Sequence, residues 1–334
     1  MLKVALIGFG GITKVHRSAY RELEKRGIAR LVCAYDVNAD AFASNVKINI
    51  DDGSPNAEEE VKCYTDLEEM LSREEIDFVD VCTPTYTHCN ISIDMLKRGY
   101  HVMCEKPMSL TYSECKRMVD TAREFSRELM IGQCVRFMES YEYVKSAVVD
   151  KRFGEVKGAF FERLSMPPTW GWENWFMNPE RSGGCITDLH IHDVDLIRYL
   201  FGEPDSVSCT ASTSVCLYDT VHTTFSYGGV PITAIGDWTL TGMKFKANGR
   251  IDFDRATLVF DGEKLTVYPK DKGESYVALS ENESMYYREL KYFCDVLMGK
   301  TENVKNPPES AAESVRLVEL MRESASRNGE KISV

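Results

Sequence analysis

An α/β protein is what this chain predicts. A doubly wound parallel sheet should occupy residues 1–133, and an α+β unit with an open, mostly antiparallel sheet residues 134–334. Three observations carry that expectation. Five short apolar runs, KVALIGFG, ARLVCAYD, DFVDVCTP, YHVMCEKP and LMIGQC, punctuate the first part, and unbroken apolar runs suit strands buried on both faces. The stretches between them, at 12–26, 66–73, 87–98 and 109–127, have helical periodicity, and strand–helix alternation builds a parallel sheet covered on both sides. After about residue 135 the texture changes, and residues 206–269 alternate Thr, Val, Tyr and Phe between Gly-containing turns, the pattern of antiparallel strands.

Between and beyond these runs lie the other elements. Residues 49–60, NIDDGSPNAEEE, are polar and acidic and predict an exposed loop. A helix is expected over 138–151, a strand over 155–165, then the aromatic segment PPTWGWENWF. A helix in GGCITDLHIHDVDLIRYL comes next. Helices at 284–299 and 309–327 close the chain, the last one placed to pack back on the first unit.

A chain of 334 residues is comfortable for two domains. Its net charge of −12 repels nucleic-acid phosphates, and no Lys/Arg stripe offsets it. The N-terminus runs into glycines without the apolar core of a signal peptide, and no apolar stretch is long enough to span a bilayer. A small molecule is therefore the expected partner, not nucleic acid or a membrane. Eleven cysteines occur with no CxxC spacing, several inside apolar runs. They are expected as reduced, buried thiols of a cytoplasmic protein, not disulfides or a zinc set.

VALIGFGGIT is a strand followed by Gly8-x-Gly10-x-x-Thr13. In a dinucleotide-binding turn the first glycine permits the tight bend. The second lets the backbone approach the pyrophosphate at the next helix N-terminus. The alternative is an ordinary Gly-rich turn, but the context favours a ligand. Asp36 ends the second strand twenty-three residues after Thr13, where an acid meets ribose hydroxyls and repels a 2′-phosphate. NAD is expected over NADP. Gly8, Phe9, Gly10, Gly11, Ile12 and Asp36 are the candidate cofactor residues of this turn and the next strand. Thr83-Pro84 and Glu105-Lys106-Pro107 lie at the same carboxyl edge of the sheet, and Lys106 either faces the cleft or pairs with Glu105 on a solvated loop.

In GGCITDLHIHDVDLIRYL an unbroken helix places Asp188, His192 and Asp195 within about 60° of one another. An acid one turn before an imidazole can fix its tautomer and raise its basicity, which suits general acid/base work. A solvated helix end and a metal site of these three residues are the other readings. His190 points roughly opposite to His192, so HxH cannot clamp a metal, and none is expected. Trp170, Trp172 and Trp175 either stack on a ligand or pack, and packing is favoured. Arg136 could reach a polar substrate or form an ion pair. Tyr286 and Tyr287 could reach the cleft or cover it. His16 is assigned a structural role.

Gly8-x-Gly10, Asp36, Thr83-Pro84…His88, Glu105-Lys106-Pro107 and GGCITDLHIHDVD together resemble the glucose–fructose oxidoreductase / inositol dehydrogenase (Gfo/Idh/MocA-type) family across essentially the whole chain. The resemblance implies a Rossmann domain and NAD(P)-dependent hydride transfer. The substrate would be a secondary alcohol or ketone of a sugar, polyol or derivative. It implies catalytic roles for Lys106, Asp188 and His192, cofactor contacts also from Thr83, Pro84, His88, Glu105 and Lys106, and substrate contacts from Arg136, Trp175 and Asp195. A cis Lys106–Pro107 bond and a homodimer or homotetramer are also implied. His190 stands where many members carry a small residue, and either reshapes the pocket or packs. Two rivals remain: an NAD-dependent glycosidase with no net redox change, and a non-catalytic sugar or dinucleotide sensor.

Overall fold

The computed structural model describes residues 1–43, 61–271 and 273–334; the loop expected at 49–60 lies outside the described residues. The first layer is a six-stranded parallel sheet of β1 (Leu2–Ile7), β2 (Ala29–Tyr35), β3 (Lys62–Tyr64), β4 (Phe78–Val81), β5 (His101–Glu105) and β6 (Leu129–Gly132). The strand order is β3-β2-β1-β4-β5-β6. It reverses between β1 and β4, so a crevice opens beyond their carboxyl ends, the usual ligand position in such sheets. All five apolar runs become strands, LMIGQC as β6, and their residues are largely buried. Strand β3 was not expected: its three residues KCY carry no apolar run and sit largely exposed at the sheet edge.

Helices α1 (Thr13–Lys25), α2 (Leu67–Arg73), α3 (Thr85–Lys97) and α4 (Tyr112–Glu124) connect these strands. The side chains of Asp66 and Thr111 cap α2 and α4 by accepting from backbone amides of Glu69 and Glu114. After β6 comes α5 (Glu139–Val149), then β7 (Val156–Leu164).

The second layer is a nine-stranded sheet. It is ordered β14-β13-β12-β11-β7-β10-β9-β8-β15 from β8 (Ser206–Ser212), β9 (Thr220–Tyr227), β10 (Val230–Asp237), β11 (Lys246–Phe253), β12 (Ala256–Phe260), β13 (Lys264–Pro269), β14 (Tyr276–Ser280) and β15 (Ile332–Ser333) around β7. Only the β7–β10 pair runs parallel. Inward positions alternate along it, as in β7, where Ala159, Phe161 and Arg163 are buried.

After the short α6 (Pro179–Ser182), the helix predicted in the segment 183–200 is instead two pieces, α7 (Cys185–Asp188) and α8 (Ile191–Phe201). Between α7 and α8 the His190 amide donates to Cys185 O at 2.9 Å, a bond spanning five residues instead of four. One extra residue in the turn rotates α8 by about 100° relative to a continuous helix. Helix α9 (Met285–Leu297) packs on α1, and α10 (Pro308–Ser326) lies against α4 and β6 on one side and α8 and β8 on the other.

All eleven cysteines are unpaired and nine are buried. No helix among the described residues is long and apolar enough to cross a membrane.

Candidate active site

The turn after β1 is built by sterics. Gly8 has φ +90, and a Cβ there would lie 2.8 Å from both Cys82 O and the Thr83 methyl, so the turn presses directly on the end of β4. At Gly10 a Cβ would meet nothing within 4 Å; this side of the turn is open. The Thr13, Lys14 and Val15 amides donate to Gly10, Gly11 and Ile12 carbonyls and start α1. Ile12, the residue capping α1, makes no side-chain cap. Thr13, in place of a third glycine, is 2% exposed, and its hydroxyl donates to Gly10 O at 2.7 Å. The larger residue therefore ties the turn together.

At the end of β2 the Asp36 carboxylate accepts from the Phe9 amide at 2.7 Å and the Asn38 amide at 2.8 Å. That fixes the Asp36 side chain beside the turn. An open glycine cradle at the start of a helix and a fixed carboxylate fit a dinucleotide with free ribose hydroxyls. Phe9 itself packs on Phe42, with ring centroids 5.2 Å apart.

Across the cleft, Lys106 Nζ donates to Asp188 O at 2.9 Å and lies 3.4 Å from Asp188 Oδ1. This contact joins the end of β5 to the end of α7 and brings together residues 82 positions apart. Burial pushes the Asp188 carboxyl up, and the Lys106 ammonium pulls it back down. The Lys106–Pro107 peptide bond is cis.

His192 sits half-buried at the start of α8. Burial, then the nearby Lys106 and Arg163 cations, hold its imidazole well below the usual histidine range. It is therefore a neutral base at physiological pH. Its buried Nδ1 has no hydrogen-bond partner among the described residues. The expected Asp188–His192 pair does not form: the carboxylate turns to Lys106, and the break before α8 removes the continuous register that the pairing required.

Several other expected contacts resolve differently. Arg136 and Asp195 bind each other, with Nη2–Oδ1 at 2.6 Å and Nε–Oδ2 at 2.7 Å, and both are about 2% exposed. Ser310 and Ser314 complete the group. Neither residue is offered to the cleft, because each satisfies the other's charge. His88 is 1% exposed, its ring nitrogens 2.8 Å from Pro107 O and Thr83 O; it braces the loops from behind. Glu105 is also buried, its two oxygens engaged by His16 and the Lys106 amide.

Trp175 stacks on Phe176 at 3.9 Å, and Trp170 and Trp238 close on the same ring, so these aromatics pack. Trp172 is 48% exposed. His190 is fully buried, with Nε2 3.1 Å from Thr223 Oγ1, and fills the space a side chain at Gly236 would need. It packs between α8 and the sheet. Tyr286 and Tyr287 are buried, Tyr286 beside His16 and Tyr287 under the Arg26 guanidinium.

Two buried charge groups carried no expectation from the sequence. Arg163 on β7 pairs with Asp193 on α8 at 3.0 Å, and its charge reaches His192. A signal for it exists: an arginine at an inward position of an alternating strand. Asp80, inside the apolar β4, is fully buried against His16.

Two sequence models of one family match in chain order. Residues 2–133 match the oxidoreductase family with NAD-binding Rossmann fold, and residues 141–267 match its C-terminal domain. The chain belongs to the Gfo/Idh/MocA family. Among its relatives, a 2,7-anhydro-N-acetylneuraminate hydratase of Mediterraneibacter gnavus is 34% identical over 161 residues, 46% of this chain and 41% of that protein. An inositol 2-dehydrogenase of Rhizobium meliloti is 29% identical over 233 residues, 69% of this chain and 64% of that protein. The matched stretch thus spans about half of the first curated relatives. The crystal structure of the WlbA dehydrogenase from Bordetella pertussis in complex with NADH and UDP-GlcNAcA superposes with a TM-score of 0.79. It has 22% identity and covers 100% of this chain and 98% of that one. At that identity the Gfo/Idh/MocA chain shares its fold.

Proposed function

We propose that this Gfo/Idh/MocA chain is an NAD-dependent dehydrogenase acting on a secondary CH–OH group of a sugar, an inositol-like polyol or a derivative of one. One observation carries the reading: the Lys106 ammonium, held on Asp188 at the same sheet edge as the open Gly8–Thr13 turn, lies near enough to His192 to help keep its imidazole neutral. His192 takes the hydroxyl proton of the substrate. Lys106 donates to the same oxygen and offsets the charge that grows there, while Asp188 orients Lys106 and accepts from a neighbouring hydroxyl. NAD, held by the Gly8–Thr13 turn and Asp36, would supply the hydride acceptor for the carbinol carbon. Asp36 favours NAD, because its carboxylate would face a 2′-phosphate with repulsion. Eleven unpaired thiols support a cytoplasmic setting, and the open nine-stranded sheet supports a homodimer or homotetramer.

A second reading has no net redox change. It is favoured by the relatives named as hydratases. One experiment separates the two. A panel of inositols, sugars and sugar acids is incubated with NAD or NADP, following both NADH absorbance and the organic product. Accumulating NADH supports the dehydrogenase; product without NADH supports the redox-neutral reading. His192→Ala should lower kcat by about 10²–10⁴-fold with the dinucleotide Kd unchanged within about threefold. A wild-type chain that binds no dinucleotide, or binds it without any turnover, sinks both catalytic readings.

A further inference from the structure

Behind Lys106 lies a chain of buried groups that the proposed chemistry leaves unused. His16, on α1 one turn past the glycine cradle, has no solvent exposure. Its Nδ1 is 2.7 Å from Asp80 Oδ2, and its Nε2 is 2.8 Å from Glu105 Oε1. Asp80 Oδ2 also accepts from the Tyr20 hydroxyl at 2.8 Å, and Oδ1 lies 3.5 Å from the Cys82 thiol. Glu105 Oε2 accepts from the Lys106 amide at 3.0 Å. Both carboxylates thus present acceptor oxygens to the ring, one on each nitrogen. A neutral imidazole has one N–H and can satisfy only one of two carboxylates.

We infer that His16 is a doubly protonated positioning residue: it clamps Glu105 against Asp80, and through the Glu105–Lys106 amide bond it sets where Lys106 stands in the cleft. The clamp joins three elements that meet at the crevice. They are α1, which begins at the cradle, β4, which carries Asp80, and β5, which ends at Glu105. Gly132 on β6 closes the remaining side: a Cβ there would lie 3.1 Å from Glu105 Oε1, so Glu105 has little room to turn away.

The groups facing the ring support this charge state. Tyr20 on its own helix, Asp80 and Cys82 from the β4 side, Glu105 from β5, and Tyr286 and Glu289 from α9 surround it. Glu289 is fully buried with both carboxylate oxygens unpartnered among the described residues. Burial, then Glu105, push its carboxyl well up. Burial opposes charge on His16, but Asp80 and Cys82 together overcome it, and its value stands well above the usual one.

The kinetic part of the test rests on the dehydrogenase reading; the titration does not. Side-chain ¹⁵N NMR of the full chain labelled at histidine should show one imidazole still protonated on both nitrogens at pH 7 and above, past the ordinary histidine value of about 6.5. That signal should vanish in His16→Gln. A His16 ring neutral at pH 7 overturns the inference, whether or not turnover has been found. In kinetics, His16→Gln should lower kcat by up to about 10²-fold, the cost of a misplacement near 1 Å, with the dinucleotide Kd within about threefold. Glu105→Gln reads the same link from its other end and should lose a similar factor. In the His16→Gln background it should add less than about threefold, because the link is already broken. Retention of kcat within twofold in either single variant, or losses that simply multiply, overturns the positioning role.

Discussion

His190 and His192 are two residues apart, and the break between α7 and α8 sends them to opposite duties. His190 turns into the sheet against Thr223 and Gly236, where burial pushes its imidazole down to about 4. A histidine depressed in the folded state contributes stability in full above its unfolded value near 6.5. That contribution is lost as pH falls from there toward about 4. Between pH 7 and pH 5 the loss assigned to His190 is about 2 kcal/mol, at about 1.4 kcal/mol per unit below 6.5. Urea unfolding of the wild type and of His190→Leu at both pH values should show the variant losing about 2 kcal/mol less on acidification. Equal losses would mean that His190 is not held neutral. The other depressed histidines, His88, His101 and His192, are common to both proteins and cancel in the comparison. At this scale the sequence showed which ionisable residues were concentrated in one segment. It could not show that Asp188 would choose Lys106 over His192, since that depends on a rotation produced by one five-residue hydrogen bond.

Among the elements, the turn from β1 into α1 separates a steric role from a ligand role. Gly10 has empty space where a Cβ would go, while Gly8 has the end of β4. Gly10→Ala should therefore leave the unfolding free energy within about 1 kcal/mol of the wild type, the ordinary range for a Gly-to-Ala change. It should weaken dinucleotide binding by about tenfold or more, because the methyl occupies the approach to the pyrophosphate. Calorimetric melting and a fluorescence titration read the two effects apart; unchanged affinity would move the dinucleotide off this turn. Gly8→Ala should fail in both measurements, since its φ of +90 and the 2.8 Å contacts strain the fold itself. The apolar runs announced the buried parallel strands because strands covered on both faces need continuous apolar surface. The edge strand β3 gave no such signal, and neither did the split at α7. There Gly184, at φ +75, brings the chain so close to Leu217 O that a Cβ would lie 2.1 Å from it.

For the whole molecule, α10 is the tie. Through Ser310 and Ser314 it holds the Arg136–Asp195 pair, and through Arg322 it reaches Gly183 O and the Thr187 hydroxyl beside the site. Removing one member of a buried ion pair leaves an uncompensated charge and costs about 3–5 kcal/mol. Arg136→Met should therefore lower the urea-derived stability by about that amount, and Arg136→Met with Asp195→Leu should recover most of it. At a temperature where the single variant is folded, its substrate KM should stay within about threefold of wild type. A large KM rise without loss of stability would restore Arg136 to the substrate.

Local order along the chain settled the alternation of strands and helices, the glycine turn with its following carboxylate, and the motif that carries Lys106, Asp188 and His192. Each of these is written in neighbouring residues through periodicity or backbone permissiveness. Tertiary structure alone decided which ionisable groups are paired. It turned Arg136 and Asp195 inward upon each other, set His88 behind the loops, and closed His16 between Asp80 and Glu105. The physical reason is that a charge buried in a low-dielectric interior must find a partner, and its partner is chosen by the packing of elements that are distant along the chain.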